Sequence, residues 1–394
     1  MIRTAAVTLI LVPLVASAYS AGTTLGGTTT TINAGAGNQT SPHVDGTLAA
    51  YTSAAGSAFE IRYFNFSTSS DQGIPTVAGA FDYLSDVSGT RVVFDRIEGA
   101  KSGVWVFNTA TAGPAVELAP DPAAIRSGAT IGGSTVAWQD LGFGPGLSEI
   151  VAYDLGAGVA VRVTNDTRND RNVAVSSGGS VLAWEACDAS YTTCDIWQAV
   201  KGTSGWTTTQ VTNTPESESL PDTNGTLVVY GATRAASVTG ADIYWTPVAG
   251  GAEVQLALAG DQRNPNISGN LIAFESRNAA DATPNWDIFI YDTSTTTLYR
   301  LTNTTTLDET LNDISVVSNQ VRVVFSVLEA DQNVYGYTFN LAPVVTPPPG
   351  SCGGSGYHDD DHDDHGHHDY DGDGCERNSS RVRNAKACRQ FRHH

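Results

Sequence analysis

Short runs of alternating apolar and polar residues follow one another along the whole chain, and the runs repeat. The fullest copy is RNPNISGNLIAF, residues 263–274. Its second half recurs as Gly46–Tyr51, Gly89–Phe94, Gly133–Trp138, Gly179–Trp184, Gly225–Tyr230 and Gly269–Phe274, each a glycine followed five positions later by an aromatic. A seventh copy ends at Phe325, with Asn319, one position early, in the glycine's place. Asn tolerates positive φ next best, so the turn chemistry is expected to survive there. The aromatics are 43, 44, 46, 46, 44 and 51 residues apart, which is the spacing of propeller blades.

Each unit carries further strand signals. An acidic or amide residue precedes an apolar one at Glu149-Ile150, Asp195-Ile196, Asp242-Ile243, Asp287-Ile288 and Asn333-Val334. After it comes Val163-Thr164-Asn165, Val211-Thr212-Asn213 or Leu301-Thr302-Asn303. With the apolar stretch before each glycine, this predicts four short strands per unit, buried against neighbouring units. No segment has a convincing helical period. The seventh unit lacks its fourth strand. Thr28–Asn33 supplies it, because Asn33 ends eleven residues before Val44 just as Asn303 ends eleven before Ile314. The expected fold is all-β: a seven-bladed β-propeller over 28–341, closed by an N-terminal strand that removes two sheet edges.

The motif P-x-[IV]-S-G-x-x-[IV]-A-[FW]…D-I-[YFW]…[LV]-T-N resembles the TolB-like (PD40, or WD40-like) β-propeller repeats of bacterial and archaeal envelope proteins. The resemblance covers about residues 28–341. It is a resemblance to the repeat and not to TolB itself, which has an N-terminal α/β domain and six blades. WD dipeptides are missing.

The ends differ from the ring. Arg3, the apolar run AAVTLILVPLVA and Ala16-Ser17-Ala18 read as a signal peptide over 1–18, too short to span a bilayer. Residues 19–27 form an N-terminal segment. Residues 342–356 form a Pro/Gly-rich linker, and 357–394 a His/Asp-rich and then basic tail with nothing to bury a core, expected to be disordered. No other apolar stretch reaches membrane length. The protein is therefore expected to be secreted, to the periplasm, cell surface or extracellular space, and to be a monomer. The formal charge of −20 argues against nucleic acid as a partner.

Chemistry is sparser than architecture. If first strands line the axis, the loops before them rim one mouth with Arg126, Asp170, Arg171, Glu218, Asp261, Arg263, Asp308 and Glu309, a candidate surface for a protein or glycan partner. The recurring Asp195, Asp242 and Asp287 keep step with the fold and read as structural. There is no G-x-S-x-G elbow for a prolyl-oligopeptidase-like hydrolase. Oligogalacturonate lyases use histidine-rich metal centres, whereas His43, read as a loop residue beside Pro42, is the one histidine in the ring here. Cys187 and Cys194 are expected to form a hairpin disulfide. In the tail, Asp369, Asp371 and Asp373 match the start of a calcium loop, and His358, His362, His365, His367 and His368 suit zinc. No other cofactor is expected. These features point to an exported binding or scaffold protein with a metal-binding tail; the alternative is a polysaccharide-active lyase or hydrolase working at a channel mouth.

Overall fold

A computed structural model describes residues 23–341, apart from 57, 145, 236, 238–239 and 278–283. Residues 1–22, with the expected signal peptide, and residues 342–394, with the expected linker and tail and every tail metal ligand named above, lie outside the described residues.

Seven four-stranded antiparallel units make up the ring. Blades 1 to 6 span 38–73, 81–117, 126–162, 169–210, 218–256 and 261–300, and blade 7 spans 309–340. Blade 7 has three strands of its own, and its fourth is Thr28–Asn33, paired antiparallel with Gln332–Asn340 in the register Thr28↔Thr338. Ahead of the closing strand, Thr23–Thr24 runs parallel to Thr297–Arg300 and adds a fifth strand to blade 6.

The glycine-to-aromatic motif is the device that joins blades. Tyr51, Phe94, Trp138, Trp184, Tyr230, Phe274 and Phe325 are all buried, and each packs on the blade before its own. The residue just before each aromatic points the other way, as strand alternation requires. These residues are small (Ala50, Val93, Ala137, Ala183, Val229, Ala273, Val324), so each leaves room for the next blade's aromatic. A large residue thus fits against a small one at every junction, and seven clusters form seven interfaces rather than one central core.

The turn before each aromatic needs a left-handed residue. Gly46, Gly89, Gly133, Gly179, Gly225 and Gly269 all have positive φ. In blade 7 the expectation for Asn319 is corrected: the left-handed residue is Ser318, at φ 59°. The longer first and second strands of that blade, Glu309–Val317 and Gln320–Leu328, place the tight turn one residue earlier.

The threonine of the V-T-N motif has an equally local reason. Thr164, Thr212 and Thr302 accept the backbone N–H of Ile150, Ile196 and Ile288. Their hydroxyls donate to a neighbouring carboxylate: Glu149 for Thr164, Glu218 for Thr212, and Asp287 and Glu309 for Thr302. The outer strand is stitched to the third, and at two of these junctions to the next blade as well.

Candidate functional site at the channel

The first strand of each blade lines a central cavity of about 810 Å³. Every first strand carries a β-bulge: the register shifts between Thr40 and His43, Tyr83 and Ser85, Ser127 and Thr130, and likewise in the other four. In blades 1 to 6 the bulge holds a residue at positive φ, including Leu84 and Leu220 at 50°. A bulge of this kind re-aims the side chains that follow it. Those that follow occupy one equivalent position per blade, each opposite the small residue before the aromatic. They are His43, Asp86, Thr130, Ala174, Asp222, Asn266 and Asp313, and all seven line the cavity.

This ring is the channel's waist. His43 lies on the strand Asn38–Asp45 and not in a loop, which corrects the sequence reading. Its Nδ1 is 3.5 Å from Asp86 Oδ1 and 3.8 Å from Asp313 Oδ2. The three aspartates are held by backbone donors. Asp86 Oδ2 accepts from Ile131 N at 2.7 Å, Asp222 Oδ2 from Ile267 N at 2.6 Å and Asp313 Oδ2 from Val44 N at 2.8 Å, each donor belonging to the next blade. The same carboxyl groups therefore fasten three blade junctions and line the channel. Burial holds the Asp222 carboxyl up to about 6, against the pull of the Ile267 and Thr223 amides. Burial also raises Asp313 well above the usual carboxylate range, and the charges of Asp86 and Asp222 add to the effect.

The eight charged rim candidates sit elsewhere. Seven lie within the first strands rather than in the loops before them; Asp308 alone is a loop residue. None of the eight lines the cavity. Arg126 is buried, paired with Asp140 at 2.8 Å and stacked over Trp138. Asp170 is buried and accepts from Trp184 Nε1 at 3.1 Å. Glu218 is buried against Arg234, Thr212 and Thr214. Glu309 is buried and accepts from Thr302. The other four reach solvent. Arg171 pairs with Glu185 at 2.8 Å, Asp261 with Arg277 at 3.3 Å and Arg263 with Glu275 at 2.6 Å, while Asp308 accepts the Trp286 amide.

The mouth at which first strands begin and second strands end has a distinct surface. Among the described residues sixteen large apolar side chains are exposed. Ten of them stand at this mouth, including every exposed aromatic: Phe59, Phe81, Phe143 and Tyr191. The other six are all valines. Phe59 meets Phe81 edge-on at 6.0 Å, beside a groove shared with Leu84 and Ile97. Arg162 lies over Phe143 and Arg171 over Tyr191. Tyr191 is carried on the loop that the Cys187–Cys194 disulfide closes. That bridge forms as the sequence predicts, between directly paired residues of two adjacent strands.

No protein-family model and no curated protein matches the chain. Solved structures do resemble it. The β-propeller domain of the trilobed protease from Pyrococcus furiosus, described as having an open velcro topology, aligns with TM-score 0.56 at 10% identity over 79% of this chain and 99% of that one. An oligogalacturonate lyase in complex with manganese aligns at 0.54 and 12% over 82% and 96%. A prolyl endopeptidase aligns at 0.53 and 9% over 77% of this chain, which spans about half of that protein's length. The chain is a seven-bladed β-propeller. TolB from Agrobacterium tumefaciens is also among its structural neighbours, at 15% identity, 57% and 82% coverage and a TM-score of 0.43. At these identities the likeness is one of fold, and function is read from this chain's own surfaces. No helix among the described residues is long and apolar enough to cross a membrane.

Proposed function

We propose that the protein is an exported binding protein that docks a protein partner on the mouth where the first strands begin. The observation that carries this reading is the gathering there of all the exposed aromatics among the described residues, next to solvent-reaching arginines. Interface cores are enriched in Phe, Tyr, Trp and Arg, and a few such anchors supply most of the binding energy. Arg171, Asp261, Arg263 and Asp308 would form part of the polar rim. The Cys187–Cys194 disulfide supports export, since such bonds persist in oxidising compartments. A photo-crosslinking residue at Tyr191 is expected to trap a partner in the native envelope or medium, and one at Val200, on the far side, is not. The double substitution Phe143→Asp and Tyr191→Ala is expected to weaken that complex by roughly tenfold or more while leaving the circular dichroism spectrum intact. Equal trapping from both positions, or none from Tyr191, refutes the reading.

A second reading, cleavage of a polysaccharide in the channel, has one observation in its favour. The channel holds a carboxyl raised to about 6, Asp222, facing a cavity with further aspartates, and glycoside hydrolysis needs a carboxyl that can stay protonated. New reducing ends should then appear with a neutral or acidic polysaccharide and vanish in Asp222→Ala. No product from any tested glycan retires this reading.

A further inference from the structure

His43, Asp86 and Asp313 come from three consecutive blades, 1, 2 and 7, and occupy adjacent positions of the waist. One ligand-type atom from each lies within 4.8 Å of the other two. Ligands held about 2.0–2.2 Å from a metal in tetrahedral geometry sit roughly 3.3–3.6 Å from one another. The imidazole nitrogen already meets that spacing with Asp86 and nearly so with Asp313, at 3.5 and 3.8 Å. The donors are fixed before any ion arrives. Asp86 accepts from Val87 N and Ile131 N, and Asp313 from Ile314 N and Val44 N, so neither carboxylate is free to swing away.

A second feature of the cavity points the same way. Its lining contains four aspartates, Asp45, Asp86, Asp222 and Asp313, and one histidine, and neither lysine nor arginine. Several buried carboxylates elsewhere in the ring have arginine partners, as Asp82 has Arg96 at 2.6 Å and Asp140 has Arg126 at 2.8 Å. Among the described residues that line the channel, no basic side chain other than the imidazole stands beside the acids. Carboxyl oxygens concentrated in a partly enclosed, low-dielectric space, with their mutual repulsion to relieve, favour a bound cation. Imidazole next to two carboxylates is a mixed nitrogen–oxygen set, suited to a borderline divalent ion rather than to an all-oxygen calcium cage.

We propose that His43, Asp86 and Asp313 bind one divalent transition-metal ion at the waist of the channel, with Zn²⁺ and Mn²⁺ as the ions to test. The site is separate from the docking mouth and does not depend on it. None of its residues belongs to the tail, whose histidines and aspartates need a control in any titration. The experiment compares the full chain with His43→Ala by calorimetry and thermal melting, with Zn²⁺ or Mn²⁺ after chelator treatment. Wild type is expected to bind one more equivalent than the variant. The metal is expected to raise the melting temperature of wild type and not of His43→Ala, because an ion joining three blades stabilises the ring whereas one held by the tail does not. His43→Asp should convert the set to all-oxygen donors, restoring a metal-dependent rise with Ca²⁺ preferred. Equal stoichiometry and equal thermal shifts in wild type and His43→Ala overturn the proposal, leaving His43 as no more than a neighbour of the two carboxyls. Should His43→Ala unfold, the wild-type thermal shift still decides: no metal-dependent rise overturns it.

Discussion

Deletion of residues 28–33 is expected to cost about 5 kcal/mol or more, enough to aggregate the protein at ordinary concentrations. The segment does three things at once. It pairs along Gln332–Asn340, so its loss leaves a long hydrogen-bonding edge open. It buries Ile32 with Val44, Tyr51, Val324 and Val334 at the junction of blades 7 and 1. It also supplies Asn33, whose amide donates to Tyr51 Oη at 2.7 Å. The chain joins blade 7 to blade 1 only through this strand, which runs on into Asn38–Asp45, so without it the ring opens there first. Thermal melting and light scattering check the prediction. A truncated protein that melts like the intact one means the ring does not depend on this strand.

The closure was legible because the motif itself carries it. The eleven-residue spacing from Asn33 to Val44 repeats the spacing from Asn303 to Ile314, and strand length and loop length together fix it. The interlocking of aromatic and small residues was not read, although adjacent positions on a strand face opposite blades and the small residue stands next to each aromatic. The channel ring was not read. A period-two pattern carried through Thr40-Ser41-Pro42-His43 assigns faces wrongly once a bulge inserts a residue, and a one-residue slip exchanges the two faces of a strand. A usable signal was present nonetheless. His43, Asp86, Thr130, Asp222 and Asn266 all stand three residues before the repeat glycine, and a polar residue at a fixed step from a structural glycine marks the axis. Charged residues misled in the opposite way. Arg126, Asp170, Glu218 and Glu309 look like a solvated rim in the sequence, but the partners that bury them, such as Asp140, Trp184 and Arg234, lie fourteen or more residues away or, for Thr302, across a blade junction.

Those buried acids give the protein an unusual pH response: it is expected to melt roughly 5 °C higher at pH 5 than at pH 8. Burial raises Asp95 to about 7, against two amides donated by Gly128 and Ala129 of the next blade. Burial likewise raises Asp170 to about 7, with repulsion from Asp166 and Glu149, and Glu309 to about 7, with repulsion from Asp287. One oxygen of Asp170 and one of Glu309 are buried without a hydrogen-bond partner among the described residues, which costs less for a neutral acid than for an anion. Between the unfolded values near 4 and these folded values, the native state holds protons that the unfolded chain has released. The stability this confers is complete below the unfolded values and disappears as pH climbs through 7. At the acid end Asp154, Asp188 and Asp292 act with the opposite sign, because hydrogen bonds keep their carboxyls below the ordinary range. Their protonation erodes stability as pH falls further, so the maximum belongs on the mildly acidic side of neutrality. Asp170→Asn and Glu309→Gln keep the Trp184 and Thr302 hydrogen bonds and remove the titration. In the double variant the rise from pH 8 to pH 5 should shrink, mainly because melting at pH 8 moves up. A melting temperature that is flat or increases from pH 5 to pH 8 in the wild type means these carboxyls stay ionised in the folded ring.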